Sequence, residues 1–219
     1  MKLIADDVYL LRGFPPNAIN VYLVGDVLVD AATRHAGRRI LRQIEGREVS
    51  AHALTHAHAD HQGASHEVCE KLGIPFWVGA GDVDAAETGN TLSRVPDRAL
   101  NRMIAKVWPG PGHPVARKLA EGDEVAGFTV LDTPGHSVGH VSFWRESDRT
   151  LICGDVLNGM NVLTTVTGLN EPPAIFTPDP ARNRESAKRL GELEPALVCF
   201  GHGPPWRDTG RFVEFCRGL

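Results

Sequence analysis

The chain has 219 residues, 42% of them hydrophobic and 23% charged, with 23 Lys+Arg against 27 Asp+Glu. Collagen-like, coiled-coil and disordered classes are excluded by this composition, and at such a length roughly 70% of the unfolded surface can be buried without a disulfide or structural metal. The formal charge of −4 is spread without a block of like sign. It builds neither the basic stripe of a nucleic-acid binder nor an acidic tail.

Apolar and polar positions alternate over residues 8–12, 19–24 and 27–30 between turns rich in Gly, Pro and Asn, which predicts a short antiparallel meander. Ile40, Leu41 and Ile44 space a helix over 34–44, with Gly46 at its end. Strand character returns over 49–55. A helix over 61–72 closes at Gly73 and Pro75, and 76–78 is a short buried strand. From 79 to 122 the pattern weakens, and Trp108-Pro-Gly-Pro-Gly-His-Pro can continue neither a helix nor a central strand, so this segment is expected to be an insertion or lid. Strands resume at 128–132, 141–144 and 151–153, and 157–178 reads as a second irregular stretch. Asp179 is a good N-cap with Pro180 at the first helical position, and Ala187, Leu190 and Leu193 supply the inward stripe. A strand over 196–200 delivers Gly-His-Gly-Pro-Pro, and a short helix with Phe212, Val213 and Phe215 ends the chain. Residues 1–219 read as a single domain.

Cys69, Cys153, Cys199 and Cys216 form no Cys-x-x-Cys pair and sit among apolar neighbours, as buried free thiols in a reducing compartment do. Residues 1–7 carry Asp6 and Asp7 where a signal peptide needs an apolar core, and no apolar run approaches the ~20 residues that cross a bilayer. The expected location is cytoplasmic, with no membrane and no nucleic acid as partner.

Chemistry concentrates in Thr55-His56-Ala57-His58-Ala59-Asp60-His61, after an apolar strand and before a helical pattern. In extended backbone, positions two apart point the same way, so His56 and His58 can face one metal. As the chain turns into the helix, Asp60 and His61 swing to another side and can hold a second metal nearby. Three further candidates end predicted strands: His136 in Thr-Pro-Gly-His, Asp155 in Cys-Gly-Asp and His202 in Phe-Gly-His-Gly. Five histidines and two aspartates without a thiolate suit Zn, Fe(II) or Mn.

This series, His-x-His-x-Asp-His followed by His, Asp and His in order, resembles that of the metallo-β-lactamase superfamily over nearly the whole chain. The resemblance implies an α/β fold, the four-layer αββα sandwich. It implies that His56, His58 and His136 bind one metal, that Asp60, His61 and His202 bind the other, and that Asp155 bridges both. Two divalent ions about 3.5 Å apart, most simply zinc with iron or manganese as alternatives, would sustain a bridging hydroxide near neutral pH and polarise a carbonyl or phosphoryl oxygen. With Asp60, Asp155 and the hydroxide counted, the site carries about +1, which favours an anionic substrate. On the same resemblance Asp60 is the catalytic residue, holding the hydroxide and later carrying a proton to the leaving group.

The remaining histidines have milder readings. His140 either orients a ligand or is simply satisfied on the next strand, while His35, His52, His66 and His113 take surface or structural roles. The loop bearing Trp108 and His113 could instead close over substrate.

Within the superfamily, the lactamases that resemble this pattern replace or lack the bridging acid, which is present here as Asp155. The glyoxalase II thioesterases share Thr-Pro-Gly-His and the acid but continue into a glutathione-binding helical region. Only seventeen residues follow His202. The tRNA-processing nucleases carry a basic arm that this chain lacks. The expected activity is therefore hydrolysis of an ester, thioester or lactone of a small anionic metabolite, with pairing into a homodimer left open. The alternative is an iron-dependent redox enzyme resembling the sulfur dioxygenases, although the complete second-metal set argues against a mononuclear centre. A third is a non-catalytic member that keeps its metal as a scaffold.

Overall fold

In the computed structural model, which describes residues 1–219, the first seven strands pair side by side in chain order. They are β1 (Lys2–Ala5), β2 (Val8–Leu10), β3 (Tyr22–Val24), β4 (Val27–Val29), β5 (Ala51–Ala53), β6 (Phe76–Gly79) and β7 (Arg117–Leu119). The first four are antiparallel neighbours joined by turns. From β4 onward the pairs are parallel, because α1 (Gly37–Ile44), α2 (Ser65–Leu72), α3 (Val83–Thr88) and α4 (Ala99–Val107) lie in the crossovers.

A second sheet of five strands uses the later chain: β8 (Glu124–Val125), β9 (Phe128–Asp132), β10 (Val141–Arg145), β11 (Thr150–Gly154) and, after the separate hairpin β12 (Asn158–Met160) and β13 (Thr167–Asn170), β14 (Leu197–Phe200). Its order is β14-β11-β10-β9-β8, with only β11 and β14 parallel. The crossover between those two carries α5 (Pro180–Glu192), and α6 (Thr209–Arg217) packs on α5.

Side-chain alternation explains the layering. Along β3 and β4, Tyr22, Val24, Val27 and Val29 face Phe128, Val130, Val141 and Phe143 of the second sheet, while Leu23 and Leu28 turn outward to Ile40, Val68 and Cys69 of the helices. In the second sheet Ile152, Leu197 and Cys199 join the inter-sheet core, and Leu151, Val198 and Phe200 pack on Leu190, Phe212 and Cys216. Both faces of both sheets are therefore apolar, and the four-layer αββα sandwich implied by the resemblance is the fold. No helix is long and apolar enough to cross a membrane.

The departures from the sequence reading have local causes. The helix predicted over 61–72 begins at Ser65, because His58 turns the chain there: its carbonyl accepts from the N–H groups of both His61 and Gln62. The helix predicted from 34 begins at Gly37, since Arg34 gives its N–H to the Trp108 carbonyl at 2.8 Å. Segment 79–122 is more regular than its pattern suggests. It contains α3 and α4, closes the first sheet through β7, and sends Ala85 and Ala86 into the apolar core. The stretch 157–178 likewise holds the β12–β13 hairpin. Strands β1 and β8, like β7, β12 and β13, have no counterpart among the strands expected from the sequence.

Candidate metal centre

Both sheets offer strand ends to the same rim. From the first come Asp30, just after β4, and the His56–His61 turn, three residues after β5; from the second come His136 beyond β9, Asp155 directly after β11 and His202 two residues after β14. Carboxyl ends of strands collect functional side chains because the loops there are released from the hydrogen-bond ladder yet anchored on a rigid sheet.

All seven residues singled out in the sequence meet here. The ligand-type atoms of His56, His58 and His136 lie within 4.8 Å of one another, as do those of Asp60, His61 and His202, and those of His56, His61 and Asp155. Oδ2 of Asp155 stands 3.0 Å from Nε2 of His202, 3.5 Å from that of His136 and 3.6 Å from that of His61. It thus sits between the two outer groups. Nε2 of His202 is also 3.3 Å from Oδ2 of Asp60.

The donor set fits divalent cations. Nε2 of His56, His61 and His136 and Oδ1 of Asp155 are buried with no hydrogen-bond partner, an arrangement costly unless something else uses their lone pairs. The opposite nitrogens are all occupied. His56 Nδ1 meets Thr55 Oγ1 at 3.0 Å, His136 Nδ1 meets Thr177 Oγ1 at 3.0 Å, and His61 Nδ1 donates to Asp30 Oδ2 at 2.8 Å. His202 Nδ1 donates to the Ala18 carbonyl. His58 is turned the other way: its Nε2 donates to the Arg94 carbonyl at 2.9 Å, which frees Nδ1. Fixing one nitrogen sets the tautomer and aims the other inward.

Electrostatics divides the cluster into neutral imidazoles on one side and imidazole–carboxylate pairs on the other. Burial, reinforced by neighbouring histidines, holds His56 and His136 neutral, the form that binds a metal. Burial opposes ionisation of Asp155 and Asp60, but His202 and His61 outweigh it and keep both carboxyls below the usual range. Burial likewise works against charge on His202, yet the two facing acids push it up to about 10.

Several supporting residues escaped the sequence reading. Asp30 accepts from Thr55 N at 2.8 Å as well as from His61, from a backbone in the left-handed region (φ 61°). Asp82 accepts from Ala57 N at 2.9 Å, Gly139 N at 3.1 Å, Ser137 Oγ and Arg94 Nε, and so ties the first histidine motif to the second. His140, for which the sequence left a positioning role open beside a merely satisfied one, has both nitrogens engaged: Nε2 accepts from Asp155 N at 3.1 Å and Nδ1 faces Thr133 Oγ1 at 2.9 Å. It positions the Asp155 turn. Gly201 is required by proximity, since a Cβ there would lie 2.0 Å from Asp155 Oδ1 and 2.6 Å from His61 Cε1. Away from the centre, buried His52 spans Leu28 O and Ser65 Oγ, His35 is exposed, and His66 and His113 face each other.

A cavity of about 480 Å³ opens onto Asp60, His136, Asp155 and His202. Its walls include Ile19, Leu92, Ile104, Trp108, Met160 and Phe176, with the exposed Phe14 and Leu163 also in the lining, and contain neither lysine nor arginine.

Comparison with known proteins is consistent with this geometry. The profile of the Metallo-beta-lactamase superfamily matches residues 14–202. The chain is 28% identical to the probable metallo-hydrolase YflN of Bacillus subtilis over 89% of its own length and 84% of that protein's. It is 27% identical to a hydroxyacylglutathione hydrolase of Bdellovibrio bacteriovorus, covering 78% of this chain but 55% of that one. Among solved structures, TTHA1623 in a di-iron-bound form superposes with a TM-score of 0.65 at 32% identity, over 95% of this chain and 91% of the other.

Proposed function

The chain belongs to the metallo-beta-lactamase superfamily and is a metal-dependent hydrolase of that family; on this premise we propose that it works with two cations on an ester, thioester or lactone whose acyl part is apolar. The observation that carries the two-cation reading is the position of Asp155, whose one oxygen stands within 3.6 Å of imidazoles from both outer groups. His56, His58 and His136 would hold one ion, Asp60, His61 and His202 the other, and Asp155 would serve both.

Bound divalent cations supply Lewis acidity, making a water nucleophilic near neutral pH and polarising a carbonyl oxygen. The chain's own residues do the rest. Asp60 is kept anionic and opens on the cavity, so it can take a proton from the attacking water and pass it to the leaving group. The apolar wall excludes water and receives the acyl chain.

That wall shifts the substrate expectation away from an anionic metabolite. A carboxylate or glutathione-like substrate would bury its charge against a lining that offers no lysine or arginine to pair with it, a costly placement. The positive centre is better matched to charge that develops on the attacked oxygen during reaction. The buried, unpaired state of all four cysteines supports a reducing, cytoplasmic setting.

The test is a hydrolysis screen over esters, thioesters, lactones and phosphodiesters with metal content measured on the same sample. Medium-chain acyl esters or lactones should be cleaved by protein carrying two ions, and fully loaded protein inert toward all four classes would refute the proposal. Asp60→Asn, assayed with metal in excess so that the weakened site stays loaded, should lose about 100-fold or more in turnover. Zinc is the reading for the ion. The similarity to a di-iron-bound protein favours one alternative, an iron-dependent oxidative activity, which iron in the purified protein together with oxygen uptake would establish.

A further inference from the structure

A second group of metal-type ligands lies outside the central site. His66 stands in the first turn of α2 and Glu70 four positions later, so both project from one face of the helix. His113 reaches them from the Pro/Gly-rich segment after α4. Its Nδ1 is 3.4 Å from Nδ1 of His66 and 3.7 Å from Oε1 of Glu70. The His113 side chain is largely covered, at 14% exposure, while Glu70 is open to solvent.

Two imidazole nitrogens so placed have two uses. They can share one proton, but 3.4 Å is long for such a hydrogen bond. Alternatively they can share a cation: two nitrogens each about 2.0–2.1 Å from a tetrahedral ion stand about 3.4 Å apart. The observed separation is that of a coordination edge. Glu70 offers an anionic oxygen at a compatible distance, leaving the fourth position to water.

We propose that His66, Glu70 and His113 form a third, peripheral site for one divalent transition-metal ion of the zinc class, separate from the centre that faces the cavity. Its role is mechanical. The segment 108–113 is laid directly on backbone: a Cβ on Gly110 would lie 2.1 Å from the Gly63 carbonyl oxygen, and one on Gly112 would lie 2.0 Å from that of Glu87. The segment is pinned by Arg34 N to Trp108 O at 2.8 Å and by His113 N to Ala86 O at 3.1 Å. Trp108 at one end lines the cavity, and His113 at the other meets α2. An ion joining His113 to α2 fastens this strap and stiffens one cavity wall.

The experiment is zinc titration of full-length protein already saturated at its central site, with bound metal counted after gel filtration and melting temperature followed in parallel. Wild type should take up one ion per chain more than His113→Ala or His66→Ala, and zinc should raise its melting temperature further than that of either variant. Glu70→Gln, an exposed change that leaves the fold intact, should weaken the extra ion about tenfold. Equal uptake and equal thermal response in wild type and all three variants would overturn the proposal, whether or not the protein proves to be a hydrolase.

Discussion

Asp30 accepts the Nδ1–H of His61 at 2.8 Å, from the end of a strand thirty-one residues earlier in the chain. Both side chains are buried, and the same carboxylate receives Thr55 N and its hydroxyl. One acid therefore sets the tautomer of a candidate ligand and the path of the turn that carries four of them. Asp30→Asn should cost 10–100-fold in metal affinity with the far-UV circular dichroism unchanged, as read by chelator competition. Unaltered affinity would remove Asp30 from the positioning network.

Gly201→Ala should be more damaging than its single methyl suggests. The added carbon would press on Asp155 Oδ1 and on the His61 ring at once, and both belong to elements that cannot easily retreat. Metal analysis should find the protein folded but loaded to less than half the wild-type content.

The apolar cavity predicts a dependence on acyl length. Each methylene placed against Ile104, Trp108 and Phe176 contributes about 0.8 kcal/mol, or roughly fourfold in kcat/KM, until the chain reaches solvent. Trp108→Ala should flatten the series from acetyl to octanoyl esters by lowering the long-chain values. A rate insensitive to length in the wild type would place the acyl group elsewhere.

His52 carries a pH dependence of stability separate from the central site. Burial lowers its pKa from 6.5 to about 4, while the unfolded chain titrates normally. Between those values the unfolded state binds a proton that the folded state refuses, so stability is full above pH 6.5 and declines as the pH falls towards 4, by roughly 3 kcal/mol in all. Urea unfolding of wild type and His52→Gln at pH 7.5 and 4.5 should show a smaller loss in the variant, although it starts from a lower stability.

Legibility in the sequence followed the range of the interaction. The candidate ligands stand in short motifs, so their identities are local information, and the sandwich was implied by the resemblance those motifs carry. Their supports are not local. Asp82 acts on Ala57, Ser137 and Gly139, at separations of 25 to 57 residues, and nothing beside it in the chain marks that task. Segment 79–122 misleads for a different reason. Helix α3 buries only small side chains, Ala85 and Ala86, and α4 turns Leu100, Met103 and Val107 outward while burying Asn101, whose amide donates to Pro96 O and Ile175 O. A helix that reverses the usual sorting shows no apolar stripe to find. The missed edge strands β1, β7 and β8 have four, three and two residues, too short for alternation to register, and the β12–β13 hairpin is hardly longer.

The first sheet is made wholly from residues 2–119 and the second wholly from 124–200, and each of the three central groups draws on both. Neither half of the polypeptide owns a complete set of donors. Competence for chemistry therefore exists only where the two sheets are docked. A captured cation would then act as a rivet across the seam, so that parting the halves and surrendering the ion become a single event.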